Sequence, residues 1–311
     1  MFAGCLALAF AGPILAQDDY AASLVRLQAL DARVQNIGWR LAHGNARFCA
    51  ATRPAIGLLI QDLMGYNQPA QARAALAVPV DFAVQAAARG GPAQRAGLSA
   101  NQPILAIDGH DLSKLARNAK AIFLRLRSVE MALQSSLDSN GAAKLLIAGK
   151  PQAVTIASEE ICNTRFAVRP SNRDAVADGW GVHIGGKFPG LAYPDEELAA
   201  AMAHEMAHVV LRHPQFLADN GRKRRNVRRT EREADRLAPW LLVNAGYDPQ
   251  AAVRFMKRWG PEHGGGLLRK RTHDGWDERV DLIEAEIAVL QPFIDPANKA
   301  NWSANFMPQT P

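Results

Sequence analysis

The stretch that most constrains this chain is Ala203-His204-Glu205-Met206-Ala207-His208. Residues four apart share one helix face, with about 5–6 Å between Cβ atoms. A helix here lets His204 and His208 grip one metal ion from the same side, at about 2.0–2.1 Å per nitrogen if the ion is zinc. Glu205 sits next to the first imidazole and can reach a water beside the ion without being a ligand. The flanks favour a buried helix. Asp195, Glu196 and Glu197 follow Pro194 and place negative charge at its N-terminus. Leu198 to Ala203 are small or apolar helix formers, and Pro214 is expected to end the helix. The plain alternative is a buried helix whose histidines are merely hydrogen-bonded.

A third ligand decides between the two. Thr230 to Leu237 reads as a second helix, on which Glu231 and Asp235 share a face. Two histidines and a glutamate, with a fourth position left for water, form a common catalytic zinc set. Taken together, His204-Glu205-x-x-His208 and Glu231-x-Glu233-Ala234-Asp235 resemble the zinc metallopeptidase family of HtpX-like and CaaX prenyl proteases. The resemblance implies one Zn2+ per chain on His204, His208 and Glu231, with Glu205 as general base and Asp235 supporting a ligand histidine. Glu233 is the competing third ligand, but it points to a different helix face. Further on, Arg271-Thr272-His273-Asp274 precedes Asp277-Glu278-Arg279, where the family carries Thr/Ser-His-Pro and then Glu-Arg. By that resemblance His273 hydrogen-bonds the oxyanion and Arg279 has a structural, charge-pairing role. Asp274 stands where the family has proline. Asn244 to Pro249 reads as a helix break of a kind frequent in the family, followed by a helix over Ala251–Trp259.

The middle of the chain carries a second resemblance. Pro92-Ala93-Gln94-Arg95-Ala96-Gly97-Leu98 and Ile104-Leu105-Ala106-Ile107-Asp108-Gly109 resemble the core of PDZ domains, the second block being a strand that ends in a tight turn. Ala55-Ile56-Gly57-Leu58 is similar to the carboxylate-binding loop of HtrA-type members, so Ile56, Gly57 and Leu58 are the candidate contacts for a peptide C-terminus. Gly57 could equally serve only a strand crossing. Lys114 to Leu137 reads as a helix, with 143–147 and 154–156 as closing strands. Cys49 and Cys162 flank this segment. Because the ends of an inserted domain usually lie close together, the resemblance implies a Cys49–Cys162 disulfide; two buried thiols are the alternative.

With 311 residues, two domains are the default. Residues Phe2 to Ala16 are apolar and end near a small-residue cleavage pattern, which reads as a signal peptide although no basic residue precedes it. The run is too short to span a bilayer. Cys5, with almost no apolar segment ahead of it, makes lipoprotein anchoring the weaker reading. Leu24, Leu27, Leu30, Val34, Ile37 and Leu41 recur at helical spacing over Tyr20–His43. The reading is therefore an α+β chain: a signal peptide (1–16), an N-terminal helix of the peptidase domain (17–49), an inserted β-rich PDZ-like domain (50–160), and a mainly helical, zincin-type metallopeptidase domain with a small edge sheet (161–311).

Within the last part, Phe166–Arg169 is a strand candidate and Gly179–Gly186 an edge strand, with His183 facing solvent rather than the cleft. Asp174-Ala175-Val176-Ala177-Asp178-Gly179 stands where the family has an Asn-led segment that leads to the substrate-pairing strand. Arg222 to Arg229 is the densest charge and explains most of the net +6. It lacks interleaved aromatics, so nucleic acid is not the expected partner. A solvated loop, or peripheral contact with anionic lipid, is. The functional expectation is an exported, periplasmic zinc endopeptidase acting on misfolded or envelope polypeptides, gated by its PDZ-like module. The alternative is a chaperone-like peptide-binding protein with a latent zinc site.

Overall fold

The computed structural model describes residues 12–117, 122–263 and 274–308, and the chain is mixed α+β with several small sheets. The apolar repeat of the N-terminal segment lies on helix α1 (Gly12–Gly44), which buries Leu24, Val34, Ile37 and Leu41. Most of the expected leader (1–11 of 1–16) lies outside the described residues. No described helix is long and apolar enough to cross a membrane.

After α1, strand β1 (Thr52–Ala55) pairs antiparallel with the much later β8 (Glu159–Cys162), Thr52 opposite Cys162. The expected disulfide is present: Cys49 and Cys162 are bonded, their Cα atoms 5.5 Å apart. It staples the ribbon where the chain leaves and rejoins the helical part, and such a bond belongs to an oxidising compartment. Between these ends lie β2 (Leu58–Asp62), α2 (Pro69–Leu76), β3 (Phe82–Ala87), α3 (Pro92–Arg95), β4 (Ile104–Ile107), β5 (His110–Asp111), α4 (Ile122–Asn140), β6 (Ala142–Ile147) and β7 (Val154–Ala157). They form a β2-β3 pair and a β5-β4-β6-β7 sheet. Ile60, Phe82, Ile104, Ile107, Leu145 and Ile147 close a core separate from that of the helices. The expected helix is not formed at Lys114; its described part is α4, from Ile122. Asp111 caps a single 3-10 turn over 112–114 by accepting from Ser113 N, and Leu115 is extended.

The second half opens with a three-stranded sheet of β9 (Arg165–Arg169), β10 (Ala175–Ala177) and β11 (Gly181–Gly185) in the order β10-β11-β9. The segment expected at the edge, Gly179–Gly186, thus supplies the central strand. The preceding Ala175–Ala177 turns back antiparallel to it and takes the edge.

Helices α5 (Asp195–Val210), α6 (His213–Asn220), α7 (Arg224–Asn244), α8 (Gln250–His263), α9 (Trp276–Leu290) and α10 (Trp302–Asn305) complete the fold. Ala199, Ala203 and Ala207 recur every four residues on α5 and are fully buried, as are Ala234 and nearly so Ala238 on α7. These small side chains allow the close approach on which α5 and α7, the most extensively packed helix pair, depend. Pro214 does not end α5. That helix stops at Val210, Arg212 turns left-handed (φ 58°), and Pro214 occupies the first turn of α6, where its missing N–H costs nothing. Nor is the basic run a loop: Arg224–Arg229 form the first turns of α7.

Candidate metal centre

Because α5 and α7 lie so close, the two motifs meet. His204 Nε2 and His208 Nε2 are 3.2 Å apart. Glu231 Oε2 and Oε1 lie 3.4 and 3.7 Å from them respectively. These atoms all fall within 4.8 Å of one another, so His204, His208 and Glu231 could hold a metal ion. Two imidazole lone pairs at this separation, facing a carboxylate, repel unless a proton or a cation lies among them. In the protein without metal, burial disfavours charge on His204, but the hydrogen bonds it donates to Asp235 and Glu231 outweigh it and raise its pKa to about 10. His208 goes the other way: burial outweighs the pull of Glu231 and lowers it to about 3, keeping the ring neutral as a ligand must be. Two neutral nitrogens and a carboxylate oxygen are a donor set that suits zinc.

Each imidazole is held from behind. Asp235 Oδ1 lies 3.0 Å from His204 Nδ1, and Arg279 donates to both Asp235 oxygens at 2.7 and 2.6 Å. Burial would raise the Asp235 pKa, but Arg279 and His204 hold it below the usual range. The charged Asp235 keeps the His204 proton on Nδ1 and turns Nε2 toward the cluster. His208 rests on a group that the sequence reading did not single out. Its Nδ1 is 2.9 Å from His213 Nδ1, and His213 Nε2 is 3.0 Å from Glu233 Oε2. Glu233, the competing ligand, is thus turned away from the cluster and engages His213 instead. The signal available was a third histidine just past the helix end, beside a proline.

Glu205 faces the cavity, and its carboxylate accepts from Ala177 N on the edge strand. Burial, with the nearby charge of Glu231, pushes its pKa up to about 7 against the opposing pull of His204 and Arg279. The cavity measures about 590 Å³ and is walled by Phe188, Phe255, Met256 and Trp259, with residues 174–177 along one side. Asp174 is at its rim, its carbonyl accepting from Gly185 N.

His183 is not at this centre. It bonds Asp178 at 2.7 Å and lines a separate groove of about 330 Å³. Ile56, Gly57 and Leu58 line that same groove, between β2, α4 and the β9–β11 sheet, with Trp39, Arg53 and Leu133. Gly57 is left-handed (φ 68°), and a Cβ there would press on Ala88 and Trp39 at 3.1 Å, so the position favours glycine whatever binds. His273 lies outside the described residues. Its neighbour Asp274 is clamped by Arg228 and Arg232 of α7. Part of the basic run is therefore spent inward, and Arg222, Lys223 and Arg225 remain exposed. Compared with known protein families and with well-characterised proteins, the sequence matches none of them.

Proposed function

We propose that this chain is a zinc-dependent endopeptidase that cleaves exported or misfolded polypeptides, in the bacterial periplasm. The observation that carries the reading is the convergence of His204, His208 and Glu231 beside Glu205 in one apolar cavity. The two imidazole nitrogens and a Glu231 oxygen would hold the ion. Zinc there supplies Lewis acidity, polarising a carbonyl and making water a nucleophile near neutral pH. Glu205 carries the proton: its carboxylate takes it from the attacking water and returns it to the departing amine nitrogen. The Ala177 N–H orients that carboxylate while β10, which among the described residues pairs only with β11, leaves its other edge for an extended substrate. The aromatic walls take apolar side chains and exclude water from the scissile bond. By the resemblance, His273 would donate to the oxyanion.

The groove at Ile56–Leu58 supports a docking role for the inserted segment, with peptide C-termini as its ligands, and it is the feature that favours the second reading, a peptide-binding protein with a latent zinc site. The exposed part of the basic run is the candidate for contact with anionic headgroups. Zinc content and cleavage of casein or a misfolded protein, measured on wild type and Glu205→Gln, test the proposal. The expected result is equal zinc in both proteins, with turnover about 10²–10⁴-fold lower in the variant. Cleavage at the wild-type rate by Glu205→Gln would remove the assigned base. Zinc binding without cleavage by either protein would favour the docking reading.

A further inference from the structure

Behind His208 lies a pair of side chains that the chemistry above does not use. The His213 and Glu233 side chains are 1% and 0% exposed, in contact at 3.0 Å. A carboxylate taken out of water is costly unless its charge is answered. Arg229, itself partly exposed, is one cation beside Glu233, at 3.7 Å. The fold also accepts a left-handed, non-glycine Arg212, which costs roughly 1–2 kcal/mol. That turn folds His213 back over the end of α5 against His208.

We propose that His213 and Glu233 form a proton-fixing relay that positions His208 as a metal ligand: Glu233 dictates the His213 tautomer, and His213 dictates that of His208. This rests on the reading of His204, His208 and Glu231 as a metal centre, not on peptidase activity. The proton assignment follows from two contacts. A carboxylate at 3.0 Å from His213 Nε2 requires the hydrogen on Nε2, because a bare ring nitrogen would meet the oxygen lone pairs. His213 Nδ1 is then an acceptor. The 2.9 Å contact between the two Nδ1 atoms accordingly needs its hydrogen on His208 Nδ1. With its proton there, His208 presents the Nε2 lone pair to His204 and Glu231. No other arrangement of hydrogens satisfies both contacts while His213 is neutral and Glu233 ionised. The ligand's tautomer is therefore set before any ion arrives, by a histidine and a glutamate in the place where His204 has Asp235 and Arg279. One ligand is anchored by a charged pair, the other through an interposed neutral ring.

Two measurements test the relay. The first uses the unaltered protein: long-range proton–nitrogen correlation spectra of the zinc-loaded chain, labelled with 15N, should show His208 protonated at Nδ1 and His213 at Nε2. A hydrogen on His213 Nδ1 would overturn the proposal. The second is zinc affinity, read by competition with a chelating dye, for His213→Ala, Glu233→Gln and their double variant, with near-ultraviolet circular dichroism reporting the fold. The expected loss is about 10–100-fold for His213→Ala. Glu233→Gln should lose less, and the double variant no more than His213→Ala alone, because Glu233 acts only through the ring. His213→Asn, whose amide oxygen keeps an acceptor near the Nδ1 position, should recover part of the affinity. Wild-type affinity in a folded His213→Ala protein, or additive losses in the double variant, would overturn the relay while leaving the metal centre standing. Failure of the wild type to bind zinc would overturn both.

Discussion

Two buried polar clusters in this molecule invite comparison. In the inserted segment Arg125, 5% exposed in its side chain, lies 2.8 Å from Asp81 and 3.4 Å from Asp62, while Arg73 and Arg117 also reach Asp81 at 3.3 and 2.9 Å. Opposite charges face one another there, and the cluster is closed by its own members. At the candidate metal centre like meets like: two ring nitrogens and a carboxylate turn their lone pairs toward one point, and the closing charge has to come from a proton or a cation. Both clusters are buried, both perturb pKa values, and both span distant parts of the chain. What separates the two clusters is the sign of the contacts at the middle, not burial or charge count, and only the second could hold a metal ion.

Substitutions can break that contrast. The largest expected effect is on metal. Zinc per chain after dialysis should fall from near one to near none in Glu231→Gln, whereas Asp81→Asn should retain it. Loss of zinc from Asp81→Asn in a folded protein would erase the distinction. Next comes stability. Removing one partner of a buried ion pair strands the other, so Asp81→Asn should lower the free energy of unfolding by about 3–5 kcal/mol in urea titrations. Glu231→Gln removes the carboxylate that faces the protonated His204 at 3.4 Å in the metal-free protein, and should cost that form less than Asp81→Asn because burial and repulsion from Glu205 offset the pair. Of similar or smaller size is the bond that ties the two regions: Cys49→Ser with Cys162→Ser opens a closure 113 residues apart in sequence, and about 2–5 kcal/mol of stability should be lost. The zinc stoichiometry should persist, since no ligand depends on the ribbon.

The smallest effect is with pH. Burial alone would raise the Asp81 pKa, but hydrogen bonds from Arg125 and Arg117 hold it below the ordinary 3.8. A carboxylate depressed on folding adds stability above its unfolded pKa and loses it as pH falls through the folded value. The gap in stability between wild type and Asp81→Asn should therefore be constant above about pH 5 and narrow as the solution is taken toward pH 3. Asp62 works against this, since burial raises its pKa and its share of stability is lost as pH rises instead. A gap that widens on acidification would show that Asp81 is not the charge these arginines hold.

Much of the centre could be read from spacing. Four-residue intervals on a helix are rigid, so His204 with His208, and Glu231 with Asp235, were bound to share faces once their helices formed. The flanking cysteines likewise foretold a closed insertion. Local patterns were less reliable where a chain reversal intervened. Gly179–Gly186 has the alternation of a half-covered strand and gave no sign that Ala175–Ala177 would fold back to take the edge. Pro214 marks a helix boundary, yet a proline fits the first turn of a new helix as well as the end of an old one.

The sequence by itself determined which atoms could bind: two imidazoles and two acids, each pair locked in register by helix geometry. Tertiary structure alone decided how they face one another, that Glu231 rather than Glu233 turns inward, and that His213 stands behind His208. The physical reason is range. A helix fixes neighbours three and four residues apart, but the angle between α5 and α7 comes from the alanine-lined contact between them, and the place of α6 from a left-handed turn at Arg212. Nothing within a single helix specifies either.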